Sequence, residues 1–260
     1  MLVSGSRADK PARLVAESDP VVVIDTATRR FVSRGGHKLE AALDRFSVAV
    51  GGRRCLDAGA STGGFTDCLL RHGASTVVAV DVGHGQLDAS LRGDARVEVL
   101  ERTNIRTLDA SAVGGDFDLL VADLSFISLV TVAPVLARTL ARPGADILVL
   151  VKPQFEAGRT EVSRGKGVIR DPGLRRAALE KVASAFASQG ATIMGAMASP
   201  LLGPAGNAEF ILHARAHVTS TDTGPWAAAL DEAVAEAPDA SDARRRHDST
   251  TDVTPTPEAR

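Results

Sequence analysis

The sequence predicts an α/β fold with a mostly parallel, seven-stranded sheet covered by helices on both faces. Seven short runs rich in Val, Leu and Ile recur through the middle of the chain, and helical patterns separate several of them. Nearly continuous apolar runs of this kind are typical of parallel strands buried on both faces. A glycine-rich turn follows the first of these strands, as in Rossmann-like cofactor-binding sheets.

The elements follow in a regular order along the chain. The predicted strands are Arg54–Asp57, Thr76–Asp81, Val97–Leu100, Leu119–Asp123, Asp146–Val151, Thr192–Ala198 and Glu209–Ala214. Helices are predicted at Gly64–His72, Val132–Leu140 and Pro172–Gln189, and another is predicted to begin near Lys38. The Gly- and Pro-containing segment Gly203–Asn207 separates the last two strands, which we expect to form an antiparallel hairpin that closes the sheet.

Composition narrows the class of protein. With 260 residues, 44% of them hydrophobic, the chain can bury one substantial core. Its formal net charge of −2 is not the basic signature of a nucleic-acid binder, so any such partner must meet a local patch. The two cysteines, Cys55 and Cys68, form no disulfide framework and are expected in the core. Without a signal peptide or a membrane-spanning run, a cytoplasmic protein is expected.

Both ends of the chain differ from this body. Residues 1–24 contain short strand and turn patterns with too little apolar area to fold alone. From about Pro238 the chain is almost devoid of apolar residues, and disorder is predicted there. We therefore predict an N-terminal segment at 1–28, the α/β domain at 29–220 and a C-terminal extension at 221–260.

The glycine-rich turn, Asp57-Ala-Gly-Ala-Ser-Thr-Gly-Gly-Phe-Thr66, indicates the cofactor. Its spacing is neither the Gly-x-Gly-x-x-Gly dinucleotide pattern nor a phosphate-binding Gly-Lys-Ser/Thr loop. An acid ahead of the first glycine suits a ligand with an ammonium and a sulfonium, and Asp81 can accept hydrogen bonds from ribose hydroxyls. These features favour S-adenosylmethionine over NAD, although Asp57 and Asp81 could instead cap helices. The predicted cofactor contacts are Asp57, Gly59, Ser61, Gly63, Phe65, Asp81 and Asn104.

Four further charged residues, which we call the tetrad, stand at the edges of predicted elements: Lys38, Asp123, Lys152 and Glu209. Charges beside apolar runs are costly to bury unless they are paired. Asp123 and Lys152 end strands, and ligands of open parallel sheets bind beyond those strand ends. The tetrad is therefore expected to surround one cleft as catalytic residues, although each member alone could be a cap or a surface lysine.

The tetrad and the glycine turn together resemble the FtsJ-like ribose 2'-O-methyltransferases. Within them, five phrases are similar to the TlyA family, often filed as haemolysin A: Ser33-Arg-Gly-Gly-His-Lys-Leu39, Asp57–Thr66, Asp123-Leu-Ser-Phe-Ile-Ser-Leu129, Lys152-Pro-Gln-Phe-Glu156 and Gly165-Lys-Gly-Val-Ile-Arg-Asp171. The resemblance covers about residues 1–220. It implies methylation of a cytidine ribose in 16S rRNA, 23S rRNA or both, within ribosomal subunits, and a link to capreomycin and viomycin susceptibility. It implies no metal ion.

The same resemblance implies an N-terminal RNA-binding domain of the alpha-L type, of which residues 1–28 look like a remnant. We expect that the true start lies upstream of Met1; a genuinely truncated variant is the alternative. RNA contacts are then expected from two basic groups, which include Arg34 and His37 in the first and Arg164 and Lys166 in the second. A solvated surface loop is the other reading of the second group.

The chemistry of the tetrad leaves one question open. A ribose hydroxyl must lose its proton as it attacks the sulfonium methyl, and Lys152 could take that proton or hold the hydroxyl.

Three other classes of protein are alternatives: a methyltransferase for small molecules or proteins, a haemolytic protein, and an RNA-binding module without activity. The paired lysines count against a methyltransferase for small molecules or proteins. The absence of a basic amphipathic segment counts against a haemolytic protein, and the intact glycine turn counts against an inactive RNA-binding module. The sequence does not define the oligomeric state.

Overall fold

The computed structural model describes residues 30–158, 161, 163, 165–217 and 226–238, together with three two-residue strands near the start of the chain. The chain divides into two compact units, Met1–Arg30 and Phe31–Arg260. In the first unit, β1 (Leu2–Val3) pairs in antiparallel fashion with β2 (Ser6–Arg7) and β3 (Val21–Val22). The remainder of the predicted N-terminal segment lies outside the described residues. The predicted domain boundaries stay predictions.

The second unit contains the predicted seven-stranded sheet. Its strands are β4 (Arg54–Ala58), β5 (Thr76–Val80), β6 (Val97–Leu100), β7 (Phe117–Ala122), β8 (Ala141–Val151), β9 (Thr192–Ala198) and β10 (Phe210–Arg215). Their order across the sheet is β6-β5-β4-β7-β8-β10-β9. Strands β4 to β8 pair in parallel, whereas β10 is antiparallel to both β8 and β9. The mostly parallel sheet and its closing hairpin are confirmed.

Helices cover both faces of this sheet. They are α1 (Gly35–Arg45), α2 (Gly64–Arg71), α3 (Ala89–Arg92), α4 (Leu129–Pro134), α5 (Pro153–Glu156), α6 (Pro172–Ser188) and α7 (Trp226–Ala235). A π-helical turn, Val135–Leu140, continues α4. Helix α4 begins three residues earlier than predicted because the Ser128 hydroxyl accepts a hydrogen bond from the backbone N–H of Val130.

Alternation along the strands divides the apolar residues into two cores. On one face, Leu56 and Leu120 pack in a cluster that includes buried residues of α4, α6 and α7. On the other face, Leu119 belongs to a cluster that includes buried residues of α1 and α2. Cys55 and Cys68 are both fully buried in this second core, as predicted. The two covered faces leave the strand ends as the place for a ligand.

Strand β8 and helix α7 also differ from the prediction. Strand β8 begins at Ala141, five residues before the predicted Asp146, because a register shift against β7 lets pairing continue past Gly144. Helix α7 was not predicted at all. Its Leu230 and Ala233 are fully buried against the first core, yet an Ala-rich segment gives a weak periodic signal. The disorder predicted from about residue 238 concerns residues outside the described part of the chain.

A buried carboxylate joins strands at the edge opposite the predicted site. Asp146 accepts hydrogen bonds from Arg53 at 2.7 Å, from Arg215 at 3.0 and 3.1 Å, and its Oδ1 lies 2.9 Å from His213 Nε2. Burial opposes ionisation of this group, but the bonds from His213, Arg53 and Arg215 hold the pKa of Asp146 well below its usual range. The ionised carboxylate therefore stabilises the folded sheet.

We predict that Asp146→Asn lowers the free energy of unfolding at pH 7 by about 2–4 kcal/mol, because the partly exposed Arg53 and Arg215 lose the charge of their buried carboxylate partner. The depressed pKa means that this stabilisation is present above about pH 4 and is lost as the pH falls. The difference from wild type, measured by urea unfolding, should thus begin to narrow at about pH 4 and should continue to narrow at lower pH.

The matched control is Asp116→Asn, at an exposed carboxylate directly before β7, which should leave stability nearly unchanged. A difference between wild type and Asp146→Asn that stays constant down to acid pH would contradict this account of the cluster.

Candidate active site

The glycine turn lies between β4 and α2 and is fixed by Asp81 at the end of β5. Asp81 accepts a hydrogen bond from Ser61 N at 2.8 Å through one carboxylate oxygen, and from Gly83 N at 2.6 Å through the other. Asp81 caps no helix in this arrangement. Each carboxylate oxygen has a second lone pair, so the group can still accept hydrogen bonds from a ligand.

Gly59 is the residue at which the turn meets the neighbouring strand end. Its φ of +84° lies in the left-handed region, and a Cβ at this position would stand 2.6 Å from the carbonyl oxygen of Asp123. Only glycine fits this backbone approach without displacing one of the two segments. The turn and the first tetrad acid are therefore in direct backbone contact.

A second close approach places Lys38. A Cβ on Gly64, the first residue of α2, would stand 2.2 Å from Ser33 Oγ and 3.0 Å from Gly36 N. The start of α1 therefore packs directly against the start of α2, beside the glycine turn. Lys38, in the first turns of α1, is buried as a result.

Asp57 is buried beneath the turn. Its Oδ2 accepts a hydrogen bond from Thr66 Oγ1 at 2.7 Å, and its Oδ1 has no hydrogen-bond partner among the described residues. Burial raises the pKa of the Asp57 carboxyl to about 7; the bond from Thr66 opposes this shift, and the charge of Asp123 adds to it. Thr66 lies in the first turn of α2 and also bonds to Asp57 through its backbone, so Asp57 holds the start of that helix; it lines neither of the two clefts described next.

Two adjoining clefts open at the carboxyl ends of the strands. The first, which we call the lysine cleft, has a volume of about 290 Å³ and is lined by all four tetrad residues. The second, the Asp81 cleft, has a volume of about 450 Å³, within the range of small-molecule sites, and is lined by Gly59, Ser61, Asp81 and Asn104. Asp123 and Ser125 line both clefts and so mark their shared border.

The tetrad consists of two separate ion pairs. Lys38 Nζ lies 2.5 Å from Glu209 Oε2, and both side chains are less than a tenth exposed. Lys152 Nζ lies 2.6 Å from Asp123 Oδ1 and donates a hydrogen bond to Ser125 Oγ at 3.0 Å. The prediction that these four residues surround one cleft agrees with the structure, and the pairing explains how buried charges are tolerated.

Other predicted site residues are placed less uniformly. Phe65 is buried and lines the lysine cleft rather than the Asp81 cleft. Asn104 lines the Asp81 cleft, but its side-chain oxygen also accepts a hydrogen bond from Arg106 N. Gly63, with φ +96°, immediately precedes α2.

The four predicted RNA contacts also differ in position. Arg34 is exposed and lines the lysine cleft. His37 is exposed and packs edge-on against Phe31, with ring centroids 5.0 Å apart, and it does not line that cleft. Lys166 is exposed, and Arg164 lies outside the described residues.

Three residues at the site were not predicted individually. Ser125 contacts Lys152. Phe126 is 92% exposed, and its backbone has a left-handed φ of +64°. Glu156 binds the start of α4 through Ser128 and Leu129. All three lie in the sequence phrases around Asp123 and Lys152. Their position next to strand ends is the feature of the sequence from which a place at the site could have been predicted.

Two negative findings concern the described residues alone. Among them, no three His, Cys, Asp or Glu side chains group in a way that could hold a metal ion. In the same part of the chain, no helix has both the length and the apolar character needed to cross a membrane.

The order of the sheet, the glycine turn and the paired lysines define a Rossmann-like methyltransferase. Residues 31–216 match the FtsJ-like methyltransferases. The 16S/23S rRNA (cytidine-2'-O)-methyltransferase TlyA of Mycobacterium tuberculosis is 53% identical over 232 residues, which are 89% of this chain and 85% of that protein. The chain therefore belongs to the FtsJ-like methyltransferase family and, within it, to the TlyA proteins.

Two further relatives support this assignment. The 23S rRNA (cytidine-2'-O)-methyltransferase TlyA of Campylobacter jejuni is 32% identical over 190 residues, 73% of each chain. A solved structure from Streptococcus thermophilus, described as a "putative hemolysin", is 37% identical with a TM-score of 0.77, and the match covers 94% of this chain and 86% of that one.

The methyl donor of this enzyme is S-adenosylmethionine, and the site fits it. The Asp81 cleft offers carboxylate oxygens for ribose hydroxyls and apolar side chains, including Ile105 and Ile127, for a purine ring. Oδ1 of Asp57 is buried without a hydrogen-bond partner among the described residues, and an ionised Asp57 would add negative charge beneath the turn. When bound, the cofactor supplies an electrophilic methyl group.

We predict that Asp57→Asn weakens binding of S-adenosylmethionine about tenfold, because the turn loses its buried charge. The raised pKa means that the ionised carboxylate costs the folded state free energy, and this cost appears as the pH rises from about 4 towards 8. The variant should therefore gain stability relative to wild type over that range. Calorimetric titration with the cofactor and thermal unfolding against pH measure the two effects.

The matched control is Asp109→Asn. Hydrogen bonds from Ser111 lower the pKa of Asp109, so its variant should show no stability gain in that range and should bind the cofactor normally. An Asp57→Asn protein that binds S-adenosylmethionine as tightly as wild type would remove Asp57 from the cofactor site.

Proposed function

We propose that this protein transfers the methyl group of S-adenosylmethionine to the 2'-oxygen of a cytidine ribose in 16S rRNA, 23S rRNA or both, within ribosomal subunits. The observation that best supports this is Lys152 in the lysine cleft, ion-paired with Asp123, which lines both clefts. The M. tuberculosis and C. jejuni relatives are named as cytidine-2'-O-methyltransferases of 16S/23S and 23S rRNA.

The chemistry requires a polarised hydroxyl close to the methyl donor. As the ribose oxygen forms its bond to the methyl carbon, the carbon–sulfur bond breaks and the hydroxyl proton leaves. We assign Lys152 to hold this hydroxyl, because its ammonium group lies in the lysine cleft against Asp123 and Ser125, which line both clefts. The ammonium donates a hydrogen bond to the ribose oxygen, and the hydroxyl proton passes to solvent water. Asp123 orients Lys152, while Glu209 orients Lys38 on the other wall of the lysine cleft. Alignment of the two reactants supplies much of the rate.

An exposed aromatic surface beside Lys152 supports RNA as the substrate class. Phe126 and Phe155 pack against each other with ring centroids 5.3 Å apart. Both line a third cavity of about 360 Å³ that also borders Lys152 and Glu209, which we call the Phe126 cleft. Sequence-specific RNA recognition targets single-stranded segments, whose unstacked bases bind to aromatic side chains. An exposed phenylalanine on a strained backbone suits that task.

Positive charge near the clefts must come from local groups because the net charge of the chain is −2. Arg34 lines the lysine cleft, and Lys166 is adjacent in sequence to Gly167, which lines the Phe126 cleft. We assign these exposed cations to contacts with phosphates of the substrate strand. If ribosomal subunits are the substrates, the enzyme acts in the cytoplasm. The link to capreomycin and viomycin stays a prediction.

The direct test is transfer of labelled methyl groups to 30S and 50S subunits that lack the modification, followed by mapping of the modified ribose. Label on a cytidine 2'-oxygen of either rRNA is the expected result. Label on a base, a protein or neither subunit would reject the proposal. Leakage from liposomes without methyl transfer would favour the alternative, a haemolysin-like protein without methyltransferase activity.

We predict that Lys152→Ala abolishes methyl transfer, with a loss of at least about a thousandfold, while the affinity for S-adenosylmethionine changes little. The reason is that Lys152 lines the lysine cleft but is absent from the lining of the Asp81 cleft. Single-turnover rates with labelled cofactor and calorimetry measure the two quantities.

Arg138→Ala is the matched control, since Arg138 is an exposed cation that lines none of the three clefts. This variant should retain the wild-type rate of methyl transfer and the wild-type affinity for S-adenosylmethionine. Unchanged turnover in Lys152→Ala would exclude Lys152 from the mechanism.

A further inference from the structure

The loop between β7 and α4 is fixed at both of its ends. At its start, Asp123 N donates a hydrogen bond to Ala58 O at 3.0 Å, which joins the loop to β4. At its end, the buried carboxylate of Glu156 accepts hydrogen bonds from Ser128 Oγ at 2.5 Å and from Leu129 N at 2.7 Å. The residues between these anchors therefore have little freedom to move relative to either strand.

Glu156 links this loop to the segment that bears Lys152. It ends α5, the short helix that begins directly after Lys152, and its own carbonyl oxygen accepts a hydrogen bond from Lys181 Nζ at 2.9 Å. The two segments beyond β7 and β8 are thus bound to each other and to α6. Their relative position is set by buried hydrogen bonds rather than by the exposed side chains of the cleft.

Ser125 lies between the two anchors and contacts Lys152 directly. Its Oγ accepts a hydrogen bond from Lys152 Nζ at 3.0 Å, in addition to the 2.6 Å contact of Nζ with Asp123 Oδ1. Ser125 lines the lysine cleft, the Asp81 cleft and the Phe126 cleft, so its hydroxyl stands where the three cavities meet. Among the described residues it donates no hydrogen bond, which leaves its own hydrogen available.

A lysine with one carboxylate partner can swing on its flexible four-carbon stem while the ion pair persists. A second oxygen from the same rigid loop removes that freedom, because Nζ must then satisfy two fixed positions. We propose that Ser125 is the positioning residue that fixes the Lys152 ammonium at the border of the clefts. This inference rests on the proposed methyl transfer to a ribose hydroxyl.

The effect of losing this contact should fall on the chemical step. A displacement of about 1 Å at a reacting group can lower the rate about a hundredfold, whereas substrate binding depends on other contacts. Ser125 is exposed, so its replacement removes no buried packing and should not affect folding. An incidental surface hydroxyl would affect neither quantity.

The test compares wild type, Ser125→Ala and Ser125→Thr with 30S and 50S subunits and labelled S-adenosylmethionine. We expect Ser125→Ala to lower kcat about 10- to 100-fold, with KM for the subunit and Kd for the cofactor within about twofold of wild type. Ser125→Thr retains the hydroxyl and should retain kcat within about threefold. Ser188→Ala, at an exposed serine at the end of α6, is the control and should match wild type.

Three outcomes would overturn the inference. Wild-type kcat in Ser125→Ala would show that the hydroxyl does not position Lys152. Equal losses in the Ala and Thr variants would show that the hydroxyl is not the required feature. A rise in KM alone would assign Ser125 to substrate binding instead. If wild type methylates neither subunit, the proposed function itself fails, and the role of Ser125 falls with it.

Discussion

The site depends on one steric constraint, the approach of the Gly59 backbone to the carbonyl of Asp123. A side chain at Gly59 would stand 2.6 Å from that oxygen, and the positive φ of +84° is itself unfavourable for other residues. Parallel pairing of β4 with β7 brings the two segments side by side. Their contact joins the glycine turn to the strand end that bears Asp123. In the proposed mechanism, donor binding and acceptor activation therefore share one rigid boundary.

From this boundary, each further contact fixes one more group. Asp81 holds the other side of the turn through Ser61, and Glu156 holds the far end of the loop that begins at Asp123. Lys152 is left with partners on a loop that cannot move independently of the turn. The second pair, Lys38 with Glu209, is buried and completes the opposite wall. The lysine cleft and the Asp81 cleft share Asp123 and Ser125, so a methyl donor in one cleft can be aligned with an acceptor in the other.

Much of this arrangement could be predicted from the sequence, because apolar periodicity marks strands and parallel strand ends converge at one edge. The glycine turn, the seven strands and the convergence of the tetrad were predicted in this way. The division of the tetrad into two pairs was not, since it depends on side-chain reach between elements distant in sequence. Helix α7 was missed because only Leu230 and Ala233 are buried in its Ala-rich sequence, which leaves a weak periodic signal. The full burial of Asp57 beneath the turn was not predicted either, because the alternation of residues along a strand gives the face on which a side chain lies but not its depth.

The most direct test of the shared boundary is the Gly59→Ala protein, measured for S-adenosylmethionine affinity and single-turnover methyl transfer. Its control is Gly190→Ala, which has a similar φ of +82° but no atom within 4 Å of the new Cβ. Both variants bear the same backbone cost of roughly 1–2 kcal/mol, which thermal unfolding reports. The account predicts that only Gly59→Ala loses both cofactor affinity and transfer, each at least about tenfold. Wild-type affinity and transfer in a folded Gly59→Ala protein would contradict it.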